Sequence, residues 1–319
     1  MGYAVTELVR GLHNYAPILQ QQGCVATIGN FDGVHRGHQT LLSEVTKEAA
    51  RRKIPSVVVT FEPQPAEFFA PEKSIARLTR WREKFHALAQ CGIDKVLVLY
   101  FNKALAALSA EEFIKTVLSD GIGAKHIIVG DDFRFGKARQ GDFHFLEAAG
   151  SRYHFTTASM QSVMLEGSRV SSTRIRKALA DKDHGLAERL LGHPYFMEGR
   201  VVHGDKRGRS IGFPTANIHL HRRATPVQGI YVVRMHGLST DALPGVANIG
   251  TRPTVGGTRA LLEVHLFDFN QDIYGRQVRV EFCKKLRDEE RYASLELLRI
   301  QIEQDALQAR AYFEECRTP

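Results

Sequence analysis

The chain of 319 residues is long enough for two domains of ordinary size. Its composition, 43% hydrophobic and 24% charged, is typical of globular proteins and excludes a disordered or fibrous chain. The net charge of +8 favours a polyanionic ligand such as a nucleotide, a nucleic acid or an acidic membrane surface. No apolar run approaches the ~20 residues of a membrane-spanning helix and no secretory pattern is present, so we expect a cytoplasmic protein. The four cysteines are far apart without a CxxC pair, which favours neither disulfides nor zinc.

The N-terminal half, residues 1–185, alternates strand and helix signals. The predicted strands are 24–28, 54–61, 93–101 and 127–129, and the predicted helices are one that starts near Gly37, then 80–90 and 111–118. Successive strands separated by helices require crossover connections. This half is therefore predicted to be an α/β domain with a parallel, doubly wound sheet.

The pattern changes after Leu191, where glycine, proline and asparagine separate short β segments. The predicted strands of this half are 195–203, 215–219, 230–236, 245–249, 260–269 and 277–283. Six short strands with few helices favour an antiparallel barrel. A final helix places Leu295, Leu298, Ile302, Ala306, Ala309 and Phe313 on one apolar stripe. We expect the second domain to cover residues 186–319.

A glycine-rich turn with two histidines, Ile28 to His38, follows the first predicted strand. Glycine lets the backbone turn sharply and approach a ligand closely, and the helix that starts near Gly37 directs its free N–H groups at the turn. His35 and His38 can both point at one phosphate and stabilise charge that builds on it during substitution. Two surface histidines or a metal pair would be the alternative.

Two further segments of this half offer phosphate-binding groups. Residues 171–176 place three hydroxyls at a predicted helix N-terminus and an arginine one turn later, which together would form a phosphate clamp. Residues 129–136 follow the fourth strand. Without other information, the first segment is an ordinary helix cap and the second is an acidic surface turn.

In the second half, residues 204–217 set basic residues between glycines, a pattern that can wrap a polyphosphate. Thr215 and Asn217 lie two apart on a predicted strand and offer neutral oxygens of the kind that magnesium accepts. Glu263 shares a strand face with His265 and Phe267. A solvated hairpin and a solvent-facing glutamate are the alternatives.

The turn at 28–38 resembles the HxGH signature of the nucleotidyltransferases. With Phe31-Asp32-Gly33 it is similar to the adenylyltransferase module of bacterial FAD synthetases. Residues 171–176 resemble the SSTxIR motif of that family, residues 129–136 its VGxDFRFG loop, and residues 204–217 the riboflavin kinase signature that ends in PTAN. The resemblance covers roughly residues 10–315 and is to the bacterial bifunctional riboflavin kinase/FAD synthetase family. It implies a Rossmann-like nucleotidyltransferase domain followed by a six-stranded antiparallel barrel with a C-terminal helix.

By this resemblance, His35 and His38 would be catalytic in adenylyl transfer, and Glu263 would be the general base that takes the proton from the 5′-hydroxyl of riboflavin. The nucleotide-binding residues expected in the first domain are Gly29, Asn30, Phe31, Asp32, Gly33, Asp132, Arg169, Ser172, Thr173 and Arg176. Those expected in the kinase are Gly204, Lys206, Gly208, Gly212, Pro214, Thr215 and Asn217, with Thr215 and Asn217 also binding Mg²⁺. Arg287 and Asp288 would bind the flavin.

The expected partners are therefore the small molecules riboflavin, FMN and ATP, with neither a nucleic acid nor a membrane. Two alternatives remain open at this point. A single-activity cytidylyl- or adenylyltransferase would explain the histidine turn but leave Glu263 and the PTAN segment without a purpose. An RNA-binding protein would explain the charge, although the sequence offers no basic helix and no aromatic stacking platform.

Overall fold

The computed structural model describes residues 5–15, 21–72, 75–204, 212–222, 224–254 and 257–316. The chain divides into two compact units. The first unit holds the residues up to Ile75 and Thr79–Ser172, and the second holds Ala76–Leu78 and the residues from Thr173 onward. The predicted domain boundary at 185/186 remains a prediction.

The first unit is an α/β fold. Its strands are β1 (Glu7–Arg10), β2 (Cys24–Ile28), β3 (Ser56–Glu62), β4 (Lys95–Tyr100), β5 (Ala124–Gly130) and β6 (Thr156–Met160), followed by a short hairpin, β7 (Met164–Leu165) and β8 (Ser168–Arg169). Its helices are α1 (Arg36–Arg52), α2 (Pro65–Phe69), α3 (Trp81–Gln90), α4 (Lys103–Ala107), α5 (Ala110–Phe113) and α6 (Phe143–Tyr153). Helix α5 continues into a π-helical stretch, Ile114–Ser119, and 3₁₀ turns occupy Leu12–Asn14 and Lys137–Arg139.

The six strands β1 to β6 form one parallel sheet in the order β1-β4-β3-β2-β5-β6. From β2 the chain continues to β3 and β4 on one side, while β5 and β6 lie on the other. The strand order therefore reverses between β2 and β5. In open α/β sheets, ligands bind outside the carboxyl ends of the strands at such a point.

Both faces of this sheet are covered by apolar residues, as the near-continuous valine run of β3 predicts. Val57 and Val59 join the core cluster that contains Phe113 of α5, whereas Val58 joins the cluster that contains Leu42 of α1. The edge strands β1 and β6 were not among the predicted strands. Both carry polar residues and expose part of their side chains, so neither shows the buried-strand pattern that identified the other four.

The second unit begins with two helices and then forms the barrel. Its helices are α7 (Ser172–Ala180, which shares Ser172 with the first unit), α8 (His184–Leu191) and α9 (Leu295–Glu315). Its strands are β9 (Phe196–Val202), β10 (Ala216–His219), β11 (Gly229–His236), β12 (Leu243–Thr254), β13 (Gly257–Leu266) and β14 (Gln277–Arg287). They close into an antiparallel barrel in the order β10-β13-β12-β11-β14-β9, which confirms the predicted barrel.

Alternation along the strands separates the barrel interior from its outer face. Tyr231, Ile249 and Leu262 fill the interior and are fully buried. Their neighbours Ile230 and Val246 point outward and pack against Phe313 of α9. The predicted apolar stripe of α9 is wrong at its first turn, because Leu295 is 72% exposed while the stripe is buried only from the middle of the helix onward. Among the described residues no helix is long and apolar enough to cross a membrane.

Candidate active sites

The turn between β2 and α1 holds the two histidines of the HxGH segment. Helix α1 begins at Arg36, so His35 is its N-cap, and the His38 amide N–H donates to His35 Nδ1 at 3.4 Å. The two imidazole rings stack, with centroids 3.6 Å apart and planes 15° from parallel. The Phe31 ring packs at 5.1 Å from His38. The turn thus presents both rings together at the carboxyl end of β2, next to the reversal of strand order.

The environment of His38 favours its neutral form. Nδ1 of His38 is buried and has no hydrogen-bond partner among the described residues. Burial lowers the pKa of His38 well below its usual value, and the positive charges near it, those of His35, Lys84 and Arg169, lower this pKa further. At neutral pH the ring therefore carries one proton, so one of its nitrogens can donate a hydrogen bond to a bound phosphate oxygen.

Asp32 holds the turn in place through a buried carboxylate. Its side chain is 3% exposed, and Oδ1 accepts hydrogen bonds from the Thr79 amide N–H at 3.0 Å and the Thr79 hydroxyl at 3.3 Å. Thr79 Oγ1 in turn accepts from the Gly33 N–H at 2.9 Å. The Ser172 hydroxyl donates to the main-chain oxygen of Asp32 at 2.8 Å. These groups shape the backbone around the histidines, and nucleotide contacts by Asp32 and Ser172 remain predictions.

The other predicted nucleotide-binding residues of this half lie in different settings. Arg169 NH2 pairs with Asp132 Oδ2 at 2.7 Å, joining the hairpin to the loop after β5, whose strand neighbours β2. Asn30 is exposed, whereas the Phe31 ring is buried against Gly29. Thr173 and Arg176 belong to the second unit, where Arg176 Nε donates to the Ala76 carbonyl at 2.8 Å.

Across the barrel, Asn217 and Glu263 lie directly opposite each other on β10 and β13. Opposed residues of an antiparallel pair share a face of the sheet, so the amide and the carboxylate lie side by side. Gly204 has no side chain to interfere there: a methyl group on it would overlap the Asn217 amide. Thr215 was predicted on the strand with Asn217, but β10 begins at Ala216, and Thr215 precedes it as an exposed residue.

The other residues predicted for the kinase site show less of its geometry. The Pro214 carbonyl lies 2.9 Å from His265 Nδ1, so this histidine is held by the chain around it. Gly212 has φ of +87°, the left-handed conformation that favours glycine. Lys206 and Gly208 lie outside the described residues.

Both predicted flavin-binding residues already have protein partners. Arg287 makes a bidentate ion pair with Asp305 of α9, at 2.9 and 2.7 Å, and the Asp305 side chain is buried. Asp288 is exposed and lies between Lys285 and Lys182; hydrogen bonds from Lys285 and then Lys182 lower the pKa of its carboxyl. Arg287 therefore joins β14 to α9, and flavin binding by this pair remains a prediction.

A group of aromatic side chains at the carboxyl ends of β3 and β4 was missed by the sequence analysis. The Phe101 ring lies 5.7 Å from Phe61, 5.3 Å from Phe68 and 5.8 Å from Phe69, with each pair close to edge-to-face. Phe69 is 67% exposed. The available signal was the Phe-Phe pair just after the prolines that follow β3.

The folds and sites together define a two-part, nucleotide-dependent transferase: a nucleotidyltransferase-like α/β unit and a barrel with a strand carboxylate. The sequence model of the FAD synthetase family matches residues 18–174, and that of the riboflavin kinase family matches residues 191–313. The chain belongs to the family of bifunctional riboflavin kinase/FMN adenylyltransferases. The match to two models excludes the single-activity alternative.

Curated relatives with that description cover nearly the whole chain. The protein of Escherichia coli strain K12 is 53% identical over 307 residues, which are 96% of this chain and 98% of the relative. The protein of Pseudomonas fluorescens is 53% identical over 306 residues, 96% of this chain and 97% of the relative. A crystal structure from Streptococcus pneumoniae, described as a macrolide-efflux protein, has a TM-score of 0.78 and 33% identity over 94% of this chain and 97% of its own.

The hydrogen bonds of Thr79 predict a stability effect. We expect Thr79→Val to lower the free energy of unfolding by about 1–3 kcal/mol, because it leaves the Gly33 N–H without its acceptor and removes one donor from a buried carboxylate. Chemical denaturation measures this change. The matched control is Thr40→Val, which removes a hydroxyl that donates to the Arg36 carbonyl in solvent. Equal losses in the two variants would contradict the importance of the buried network.

The close approach of the Asn217 amide to Gly204 predicts that a larger residue at position 204 lowers the kinase activity. Since Asn217 must move when a methyl group is added, we expect Gly204→Ala to lower kcat/KM for riboflavin phosphorylation about 10- to 100-fold. Gly185→Ala, at an exposed position of α8, serves as the control and should leave both activities unchanged. A Gly204→Ala enzyme with normal kinase activity would show that the position of Asn217 is unimportant.

Proposed function

We propose that each unit carries one of the two successive ATP-dependent reactions on a single flavin. In the barrel, the γ-phosphate of ATP is transferred to the 5′-hydroxyl of riboflavin, which yields FMN and ADP. In the α/β unit, FMN is joined to the AMP part of a second ATP, which yields FAD and pyrophosphate. The observation that carries this division is chemical: the proposed general base, Glu263, lies in one unit, and the stacked histidines lie in the other.

The kinase reaction begins with an alcohol, which must lose its proton to become a good nucleophile. The proposed base is Glu263, whose carboxylate takes the proton of the 5′-hydroxyl while the oxygen attacks the γ-phosphorus and ADP leaves. Asn217, directly opposite on β10, holds the phosphate side of the site. This arrangement relies on positioning and charge neutralisation, without a covalent enzyme intermediate.

Magnesium is proposed as part of the ATP substrate of the kinase. The donor set fits such an ion, because Asn217 and Thr215 supply neutral oxygens and ATP phosphates with water can fill the other positions. Among the described residues there is no cluster of three or more His, Cys, Asp or Glu side chains of the kind that binds a metal by itself. The ion would neutralise charge on the transferred phosphate.

Adenylyl transfer begins with the phosphate of FMN, which is already ionised and needs no base. Its oxygen attacks the α-phosphorus of ATP, and pyrophosphate leaves. The proposed role of His35 and His38 is to donate hydrogen bonds to the oxygens on which charge accumulates. Arg169, close enough to His38 to lower its pKa, adds positive charge on the same side.

The aromatic group of Phe68, Phe69 and Phe101, in which Phe69 is exposed and the other two are half-buried, is the proposed contact for the isoalloxazine ring in this unit. It lies at the carboxyl edge of the sheet, where the histidine turn also lies. The flat isoalloxazine ring gains from stacking on aromatic side chains, and the exposed Phe69 offers such a surface.

A crossed experiment tests the division of labour. His38→Ala should lower FMN adenylylation about 10²-fold or more, since it removes a transition-state donor, and leave riboflavin phosphorylation near normal. Glu263→Gln should lower phosphorylation about 10²- to 10⁴-fold and spare adenylylation. Chromatography of riboflavin, FMN and FAD after incubation with ATP and magnesium gives both rates. Loss of both activities in either folded variant would refute separate sites.

The aromatic contact predicts a change in affinity for FMN. Phe69→Ala should raise the KM for FMN roughly 10-fold through lost stacking, while the KM for ATP stays the same. Phe145→Ala, an exposed phenylalanine of α6, is the control. An unchanged KM for FMN in Phe69→Ala would show that the isoalloxazine ring does not bind at this aromatic group.

A further inference from the structure

A third polar residue continues the row that Asn217 and Glu263 begin. Asn248 on β12 lies directly opposite Glu263 on β13, just as Asn217 does from β10. The three side chains therefore share the outer face of the barrel, with Glu263 in the middle. Ile230 on β11 is the next residue of the row beyond Asn248.

The carbonyl oxygen of the Asn248 side chain has no donor among the residues that the structure describes. This oxygen, Oδ1, is buried. The neighbouring Ile230 is apolar, and the ionised carboxylate of Glu263 is itself an acceptor. A buried amide oxygen without a donor is unfavourable unless a ligand supplies an O–H or N–H group.

The charges around Asn248 select the kind of ligand. Gly250, two residues along β12 on the same face, has no side chain, and a methyl group there would overlap the Glu289 carboxylate. Negative charge from Glu289 and Glu263 thus flanks Asn248. A polyphosphate is disfavoured here by repulsion, and the proposed magnesium ligand Asn217 lies on the other side of Glu263. A neutral polyol, rich in O–H donors, fits this position.

We propose that Asn248 binds the flavin substrate of the kinase: its Oδ1 accepts a hydrogen bond from a secondary hydroxyl of the ribityl chain whose terminal 5′-hydroxyl lies at Glu263. The proposal rests on the proposed kinase function of the barrel. Opposed residues of neighbouring strands have Cβ atoms about 4.5–5.5 Å apart, which suits two hydroxyls of one short chain. Asn248 thereby fixes which oxygen of the polyol reaches the base.

The test pairs variants with substrates that lack one hydroxyl each. Initial rates of phosphorylation are measured for riboflavin and for 2′-, 3′- and 4′-deoxyriboflavin, which all keep the 5′-hydroxyl. We expect wild-type kcat/KM to fall about 10-fold for one of the deoxy substrates and Asn248→Leu to cause a similar loss with riboflavin. In Asn248→Leu, kcat/KM for that deoxy substrate should be no lower than for riboflavin, because the variant has already lost the hydrogen bond to the missing hydroxyl.

Controls separate binding from folding. Asn270→Leu makes the same chemical change at an exposed position after β13 and should behave as wild type. Asn248→Ala replaces Asn248→Leu if the larger side chain prevents folding, as judged by thermal unfolding of the full chain. Riboflavin affinity, measured by quenching of flavin fluorescence, should weaken in Asn248→Leu and Asn248→Ala and stay unchanged in Asn270→Leu.

Three results would overturn the proposal: riboflavin kinetics of Asn248→Leu within twofold of wild type, equal losses for riboflavin and every deoxy substrate, or a loss confined to the KM for magnesium-ATP. The fluorescence measurement keeps this proposal distinct from the kinase assignment. If Glu263→Gln retained full kinase activity, the proposed base would be wrong, while the pattern of affinities for the deoxy substrates would still decide whether Asn248 binds a hydroxyl.

Discussion

The buried carboxylate of Asp32 is the interaction on which the α/β site depends. A carboxyl group that is 3% exposed needs hydrogen bonds inside the protein, and the Thr79 amide and hydroxyl both donate to it. Thr79 also accepts from the Gly33 N–H, so the turn is fixed at two successive residues. His35 and His38 follow within one turn of helix, and their stacked arrangement is therefore set by the backbone rather than by contacts with a substrate.

The barrel site depends on a different constraint, the register of three strands. Asn217, Glu263 and Asn248 align only because β10, β13 and β12 pair without slippage at that level. A shift of one residue would turn all three side chains into the barrel interior. The apolar interior residues, such as Ile249 and Leu262, oppose that shift because it would expose them. Core packing thus protects the geometry of the polar row.

The sequence was sufficient for the fold class and for the buried strands, because buried strands and amphipathic helices are local patterns. What it did not reveal depends on distant residues. Thr79 lies 47 positions from Asp32, and nothing near Thr79 marks it as its partner. Asn248 lay in the predicted strand 245–249 without a role, since only the strand register brings it beside Glu263. Arg287 was assigned to the flavin, yet its guanidinium holds Asp305 of α9.

The two sites differ because their nucleophiles differ. The 5′-hydroxyl of riboflavin keeps its proton at neutral pH, so the kinase reaction needs a base, and the proposed base, Glu263, lies on the outer face of the barrel beside the amides of Asn217 and Asn248. The phosphate of FMN is already ionised, and a carboxylate near it would only repel it. In the α/β unit the nearest acid, Asp32, is turned inward and bonded to Thr79. Neutral His38 has the positive charges of Lys84 and Arg169 near it, and Arg169 is paired with Asp132. The two proposed sites thus differ in their chemistry: a carboxylate is proposed where a proton must be removed, and hydrogen-bond donors are proposed where an ionised phosphate attacks.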